Sequence, residues 1–151
     1  MDAPCEEGRT RERPVGGSGQ DRGSECVCVG AILERAGRVL HVRRAAGREW
    51  LPGVWDLPGW HRERAESPEA ALVRELTEEL DVTALEWRLL ATATGESVTL
   101  HVYRVPRRSG SPRNAQPKEH DAIAWLSPDQ LDGISLADAR LHVLILRALE
   151  A

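Results

Sequence analysis

Three cysteines, an odd number, are too few for a disulfide framework or a four-ligand zinc site. No apolar run approaches the roughly 18–20 residues that a membrane helix needs. The N-terminal stretch MDAPCEEGRTRERPVGGSGQDRGSE has no hydrophobic segment of the secretory kind, so the expected compartment is cytoplasmic. An excess of positive charge is missing as well. Lys and Arg number 20 against 24 Asp and Glu, a net charge of −4, which argues against a surface that coats nucleic acid. A polyanion could still be drawn by a local basic patch or by a metal.

What remains is an ordinary globular composition, 41% hydrophobic and 29% charged over 151 residues, enough for one domain with a real core. Composition shifts near residue 24. Residues 1–24 hold Gly, Arg, Glu and Pro with few apolar side chains, and burial there cannot offset the entropy of ordering. They are expected to form a disordered tail ahead of a single domain over 25–151. No internal repeat is visible.

CVCVGAIL (Cys26–Leu33) reads as a strand buried on both faces, with Cys26 and Cys28 as small core side chains. A turn at Glu34–Gly37 leads into a second strand, RVLHVRRA, so the two are expected to pair as a hairpin. The following AAGREWLPGVWDLPGWHRERAE is too irregular for more than a short element at VWDL. Ser67 is a good N-cap and Pro68 suits the first helical position, which places a helix over EAALVRELTEEL ending at Asp81 or Val82. EWRLLATATG and SVTLHVYRVP suggest antiparallel strands around Gly95-Glu96. A basic loop, the strand HDAIAWLS, a helical turn at SPDQL and a closing helix in LADARLHVLILRAL complete the order. That alternation suits an α/β sandwich with helices on both faces of a mixed β-sheet.

Within the predicted helix, RELTEELDV crowds Glu75, Glu78 and Glu79 three and four residues apart, on one side of the helix. Like charges so placed repel by about 0.2–0.5 kcal/mol per pair. Leu72, Val73, Leu76 and Leu80 form the neighbouring apolar arc, so the carboxylates are expected along the margin of the core, unburied. Arg74 stands four residues before Glu78 and can brace it. A hard divalent cation such as Mg²⁺, which prefers oxygen ligands, would remove the repulsion.

The spacing resembles the Nudix box: a glycine, five residues, Glu, seven residues, then REUxEExGU with U aliphatic. Glu66 takes the first acid, Arg74-Glu75-Leu76 the REU, Glu78-Glu79 the paired acids and Val82 the closing aliphatic. GVWDLPG before the box and EHDAIAWLSPDQL after it resemble the family's flanks, so the likeness spans about 25–149. Two residues depart from the pattern. Trp60 replaces the opening glycine and Asp81 the late one, while Ala65 stands where a glycine often precedes the first acid. Asp tolerates a left-handed helix end better than most residues.

The resemblance implies a Nudix-type α/β/α sandwich and metal-dependent hydrolysis of a phosphoanhydride in a nucleoside diphosphate-linked substrate. Glu75, Glu78 and Glu79 would bind Mg²⁺ or Mn²⁺ with the Gly59 backbone carbonyl, and Arg74 would position a glutamate. Glu119, ahead of the late strand, would join the metal or act as base. Glu78, Arg74, Glu66 and Glu119 are thus the candidate catalytic residues. For Glu66 a plain helix-start acid, and for Glu119 a plain loop acid, stay open beside those roles. His41, His101 and His142 are read as structural or surface side chains, and His61 and His120 as spectators near the site. Trp50, Trp55 and Trp125 are read as packing. Arg104, Arg107, Arg108, Arg113 and Lys118 read as a solvated basic series that could also draw a polyphosphate. Signatures of the ADP-ribose, NADH, coenzyme A and isopentenyl diphosphate branches are missing, which leaves a nucleoside triphosphate pyrophosphohydrolase releasing the monophosphate and pyrophosphate. The alternative is a Nudix-fold nucleotide-binding or regulatory domain with little turnover. The expected partner is a small-molecule nucleotide, with a homodimer left open and neither nucleic acid nor membrane indicated.

Overall fold

The computed structural model describes residues 26–49, 51–59, 61–95, 97–137 and 140–150. The expected tail, Trp50 and Trp60 lie outside the described residues.

The first apolar run forms β1 (Cys26–Ile32) and the second forms β3 (Arg38–Arg44), with the short β2 (Glu34–Arg35) between them. Of β1 and β2 it is β2 that pairs with β3, around Ala36 and Gly37, whose φ angles of 51° and 78° match a two-residue hairpin turn. The expected hairpin of β1 with β3 is therefore corrected. At Leu33 the chain leaves one sheet for another, and β1 pairs in parallel with β6 (Val98–Ser109). A strand apolar on both faces needs cover on both, and this position provides it. β5 (Thr83–Thr94) runs antiparallel to β6 across the expected Gly95 turn, so the first sheet is mixed, in the order β1-β6-β5. The second sheet is antiparallel: β3 pairs with β2, with β4 (Trp55–Asp56) and along its length with β7 (His120–Leu126).

α1 (Pro68–Leu80) covers one face. Ser67 Oγ accepts the Ala70 amide at 3.0 Å, Pro68 opens the helix, and Asp81 closes it at φ 60°, ψ 40°, the left-handed end expected there. Its Leu72, Leu76 and Leu80 are fully buried in a core with Val29, Leu40 and Val42. α2 (Pro128–Leu131) and α3 (Arg140–Glu150) cover the other face, where Leu141, Ile145 and Ala148 pack with Ile32, Val39 and Leu126. Val39 and Leu40, adjacent on β3, thus serve opposite cores, as strand alternation requires.

One irregularity bears on the site. On the β3–β7 ladder Arg43 faces Ala122, but Arg44 faces His120, leaving Asp121 as an extra residue. That is a β-bulge.

Candidate metal centre

Helical spacing puts Glu75 and Glu79 one turn apart on α1, and both are buried, with Glu79 only 4% exposed. The expectation that packing leaves the carboxylates unburied is corrected for these two and holds for Glu78, which is exposed. The cover comes from β1 and from the Leu57-Pro58-Gly59 turn, which the helix pattern alone does not reveal. Gly59 has φ 122°, and a Cβ there would collide with the Val29 carbonyl oxygen. Only glycine fits so close to β1. The Gly59 amide donates to Glu79 Oε1 at 3.1 Å, so the contact made to the box glutamates is through the N–H.

Arg74 organises the acids around it. Its guanidinium grips Glu66 with two hydrogen bonds, Nε to Oε2 at 2.8 Å and Nη2 to Oε1 at 3.0 Å. Nη1 donates to Glu75 Oε2 at 3.0 Å and to Glu78 Oε1 at 3.2 Å, and Nη2 reaches the His61 carbonyl at 3.1 Å. Glu66 Oε1 also accepts the Glu63 amide, so both Glu66 oxygens are engaged. Its carboxyl is held below the usual range, chiefly by the Arg74 hydrogen bonds. This geometry makes Glu66 the anchor of Arg74. Ala65, just before it, sits at φ 64° where the family pattern often has glycine.

The acids on the inner side are unbalanced. Burial lifts the Glu75 carboxyl and lifts Glu79 well above its ordinary value, and the charges of Glu75 and Glu119 push Glu79 further. Glu119 arrives from the loop before β7, where its carbonyl accepts the Ala45 amide at 2.9 Å. One oxygen each of Glu79 and Glu119 and one ring nitrogen of His120 lie within 4.8 Å of one another. His120 is buried, and its Nδ1 has no hydrogen-bond partner among the described residues. Burial, then the charges of Arg48 and Arg44, push its pKa down to about 4, so the ring is neutral at pH 7. Buried Glu79, pushed by like charges, together with exposed Glu119 and a neutral imidazole whose Nδ1 has no partner among the described residues, is a donor set suited to a divalent cation.

Of the expected site residues, then, the structure brings Glu79 together with Glu119 and with the Gly59 amide, and Glu75 stands one turn away on α1. It sets Glu78 on the solvent side and Arg74 and Glu66 behind. His120 was read as a spectator and Arg44 was not singled out. Arg44 shares the strand face of Leu40 and Val42, a signal that could have found it, and it is only 3% exposed. The basic series lies elsewhere: Arg104 pairs with Glu34, Arg107 with Glu86 and Arg113 with Asp81, and Arg108 stands over the Trp125 ring. A second cluster, Cys26, Cys28 and His61, is less suited to metal. Cys26 is disulfide-bonded, correcting its reading as a plain core side chain, and burial pushes the Cys28 thiol up to about 12.

Fold and site define the class first: an α/β scaffold presenting an arginine-braced carboxylate helix. The family model described as NUDIX domain matches residues 25–146. The chain is 36% identical over 120 residues to the CTP pyrophosphohydrolase of Escherichia coli K12, covering 77% of this chain and 86% of that protein. It is 31% identical over 109 residues to the 8-oxo-dGTP diphosphatase of the same organism, covering 68% and 84%. The crystal structure of a MutT NUDIX hydrolase from Burkholderia pseudomallei superposes with a TM-score of 0.69 at 32% identity, covering 78% of this chain and 95% of that one. The chain belongs to the NUDIX family and is a Nudix hydrolase.

Proposed function

We propose that this hydrolase is a divalent-metal-dependent nucleoside triphosphate pyrophosphohydrolase, releasing nucleoside monophosphate and pyrophosphate. The observation that carries the reading is the convergence of buried Glu79 with Glu119 beside Glu75 on an arginine-braced helix. The names of two relatives, a CTP pyrophosphohydrolase and an 8-oxo-dGTP diphosphatase, support the substrate class. No helix is long and apolar enough to cross a membrane among the described residues.

Glu75, Glu79 and Glu119 would hold the ion. When bound it offsets negative charge on the diphosphate and acidifies a water. The protein's own groups do the rest. Both Glu75 and Glu79 must be ionised to act as ligands, and burial makes that ionisation costly without an ion. Arg74 fixes Glu75 and Glu78 in place, and Glu66 fixes Arg74. Glu78, exposed and bound to Arg74 through Oε1, would offer its other oxygen, which has no partner among the described residues, to the proton of the attacking water.

The test is a nucleotide panel including CTP and 8-oxo-dGTP, with Mg²⁺ and with Mn²⁺, scored by phosphate release with added pyrophosphatase. Metal-dependent turnover of a triphosphate is expected. Turnover confined to diphosphate-linked substrates such as ADP-ribose would overturn the substrate class.

A further inference from the structure

The β-bulge at Asp121 decides which way His120 points. Side chains alternate along a strand, and cross-strand partners share a face. Leu40 pairs with Trp125 and Val42 with Ile123, and all four pack in the core beneath α1. Val39 and Leu126, which also pair, pack in the core on the opposite face. Uninterrupted alternation along β7 from Ile123 would put Asp121 on the α1 face and His120 on the other. The extra residue reverses this. Arg44, in phase with Leu40 and Val42, now faces His120, so the imidazole turns toward the carboxylate helix. Asp121 is released to bind Arg43 at 2.7 Å. Bulges commonly re-aim a side chain beside an active site.

The backbone on either side fixes this arrangement. The His120 amide donates to the Gln116 carbonyl at 3.0 Å, and the His120 carbonyl accepts from Asn114 Nδ2 at 2.8 Å. The ring itself is 6% exposed, its Nδ1 has no hydrogen-bond partner among the described residues, and one of its two nitrogens lies within 4.8 Å of oxygens of both Glu79 and Glu119. Leaving a buried polar nitrogen unsatisfied costs about 1–3 kcal/mol. An ion bonded through Nδ1 would relieve that cost.

We propose that His120 supplies a nitrogen ligand to the ion held by Glu79 and Glu119, giving a mixed nitrogen–oxygen site that favours Mn²⁺ and later first-row ions over Mg²⁺. The proposal rests on the reading of those carboxylates as the metal site. Mg²⁺ demands oxygen and keeps its waters, whereas an imidazole nitrogen strengthens binding of transition ions. Loss of His120 should therefore weaken Mn²⁺ more than Mg²⁺.

The test uses metal-free full-length protein titrated with MnCl₂, following free Mn²⁺ by EPR, with Mg²⁺ as competitor. Wild type, His120→Gln and Glu79→Gln are compared, and pulsed EPR reads nitrogen coupling to bound Mn²⁺. Wild type should show a directly bonded ¹⁴N coupling that becomes ¹⁵N on ¹⁵N-histidine labelling. His120→Gln should lose it and bind Mn²⁺ at least about tenfold more weakly, since even outer-shell partners of metal ligands are worth 10–100-fold. Its Mg²⁺ affinity should change by less than about threefold. Bound Mn²⁺ without nitrogen coupling, together with weak binding in Glu79→Gln, would overturn the role of His120 and leave the carboxylate site standing. Equal Mn²⁺ affinity in Glu79→Gln and wild type would overturn the metal site itself. Should His120→Gln fail to fold, the wild-type coupling decides alone.

Discussion

At the residue scale, Glu79 pits stability against function. Its carboxyl is buried among like charges and its pKa is raised, so the folded state keeps a proton that the unfolded chain releases. The stability it contributes is present below the unfolded carboxylate pKa and is lost as pH rises through the folded one. Glu75 acts in the same direction. Glu66 has the opposite sign: its depressed pKa confers stability above the unfolded value that is lost only as pH falls below it. In EDTA, the melting temperature should therefore fall as pH is raised from about 5 toward 8, and Glu79→Gln should flatten that slope and melt higher at pH 8. A wild-type melting temperature independent of pH in EDTA would contradict the raised carboxyl pKa of Glu79. Gly59 is the second decisive residue. Gly59→Ala should destabilise by at least about 2 kcal/mol, because backbone on β1 cannot yield to the added methyl and left-handed φ penalises alanine. Chemical denaturation measures it, and a loss below 0.5 kcal/mol, the scale of an ordinary surface change, would mean that the turn moves freely.

At the scale of elements, the parts legible in the sequence are those with local causes. α1 could be read from Ser67, Pro68 and the leucine spacing, and its left-handed end at Asp81 from the missing glycine. The β5–β6 pair could be read from its turn residues. The partner of β1, the burial of Glu75 and Glu79, and the turn of His120 into the site could not. Each depends on segments distant in sequence: β6 for β1, Gly59 against Val29 for the glutamates, a one-residue bulge of β7 against β3 for His120. Where local pattern and backbone disagree, there is strain to relieve. Ala65 at φ 64° and Asp81 at φ 60° both hold left-handed backbone, which costs an L-residue about 1–2 kcal/mol. Ala65→Gly should raise stability by up to about 1 kcal/mol after the added freedom of the unfolded chain is subtracted. Asp81→Gly should gain less, since it also gives up the exposed ion pair with Arg113. Thermal melts of the two variants test this, and a loss in Ala65→Gly would show the loop to be unstrained.

At the scale of the whole molecule, the site is where separate parts of the fold meet. α1 brings Glu75 and Glu79, the turn after β4 brings Gly59, and the loop before β7 brings Glu119. On the proposed reading, an ion bound there would tie all three together and bind only the folded chain. At a hundred times its dissociation constant it should add about 2.7 kcal/mol. For a domain of this size that is roughly 5–10 °C in melting temperature, and the gain should vanish in Glu79→Gln. The most direct measurement is ³¹P NMR of the best triphosphate substrate turned over with Mn²⁺ or Mg²⁺, by wild type and by Glu79→Gln. The expected spectrum shows nucleoside monophosphate and pyrophosphate growing together, stopped by EDTA and slowed by several orders of magnitude in the variant. Nucleoside diphosphate with orthophosphate as the products, or a rate indifferent to EDTA and to Glu79→Gln, would contradict the metal-dependent pyrophosphohydrolase.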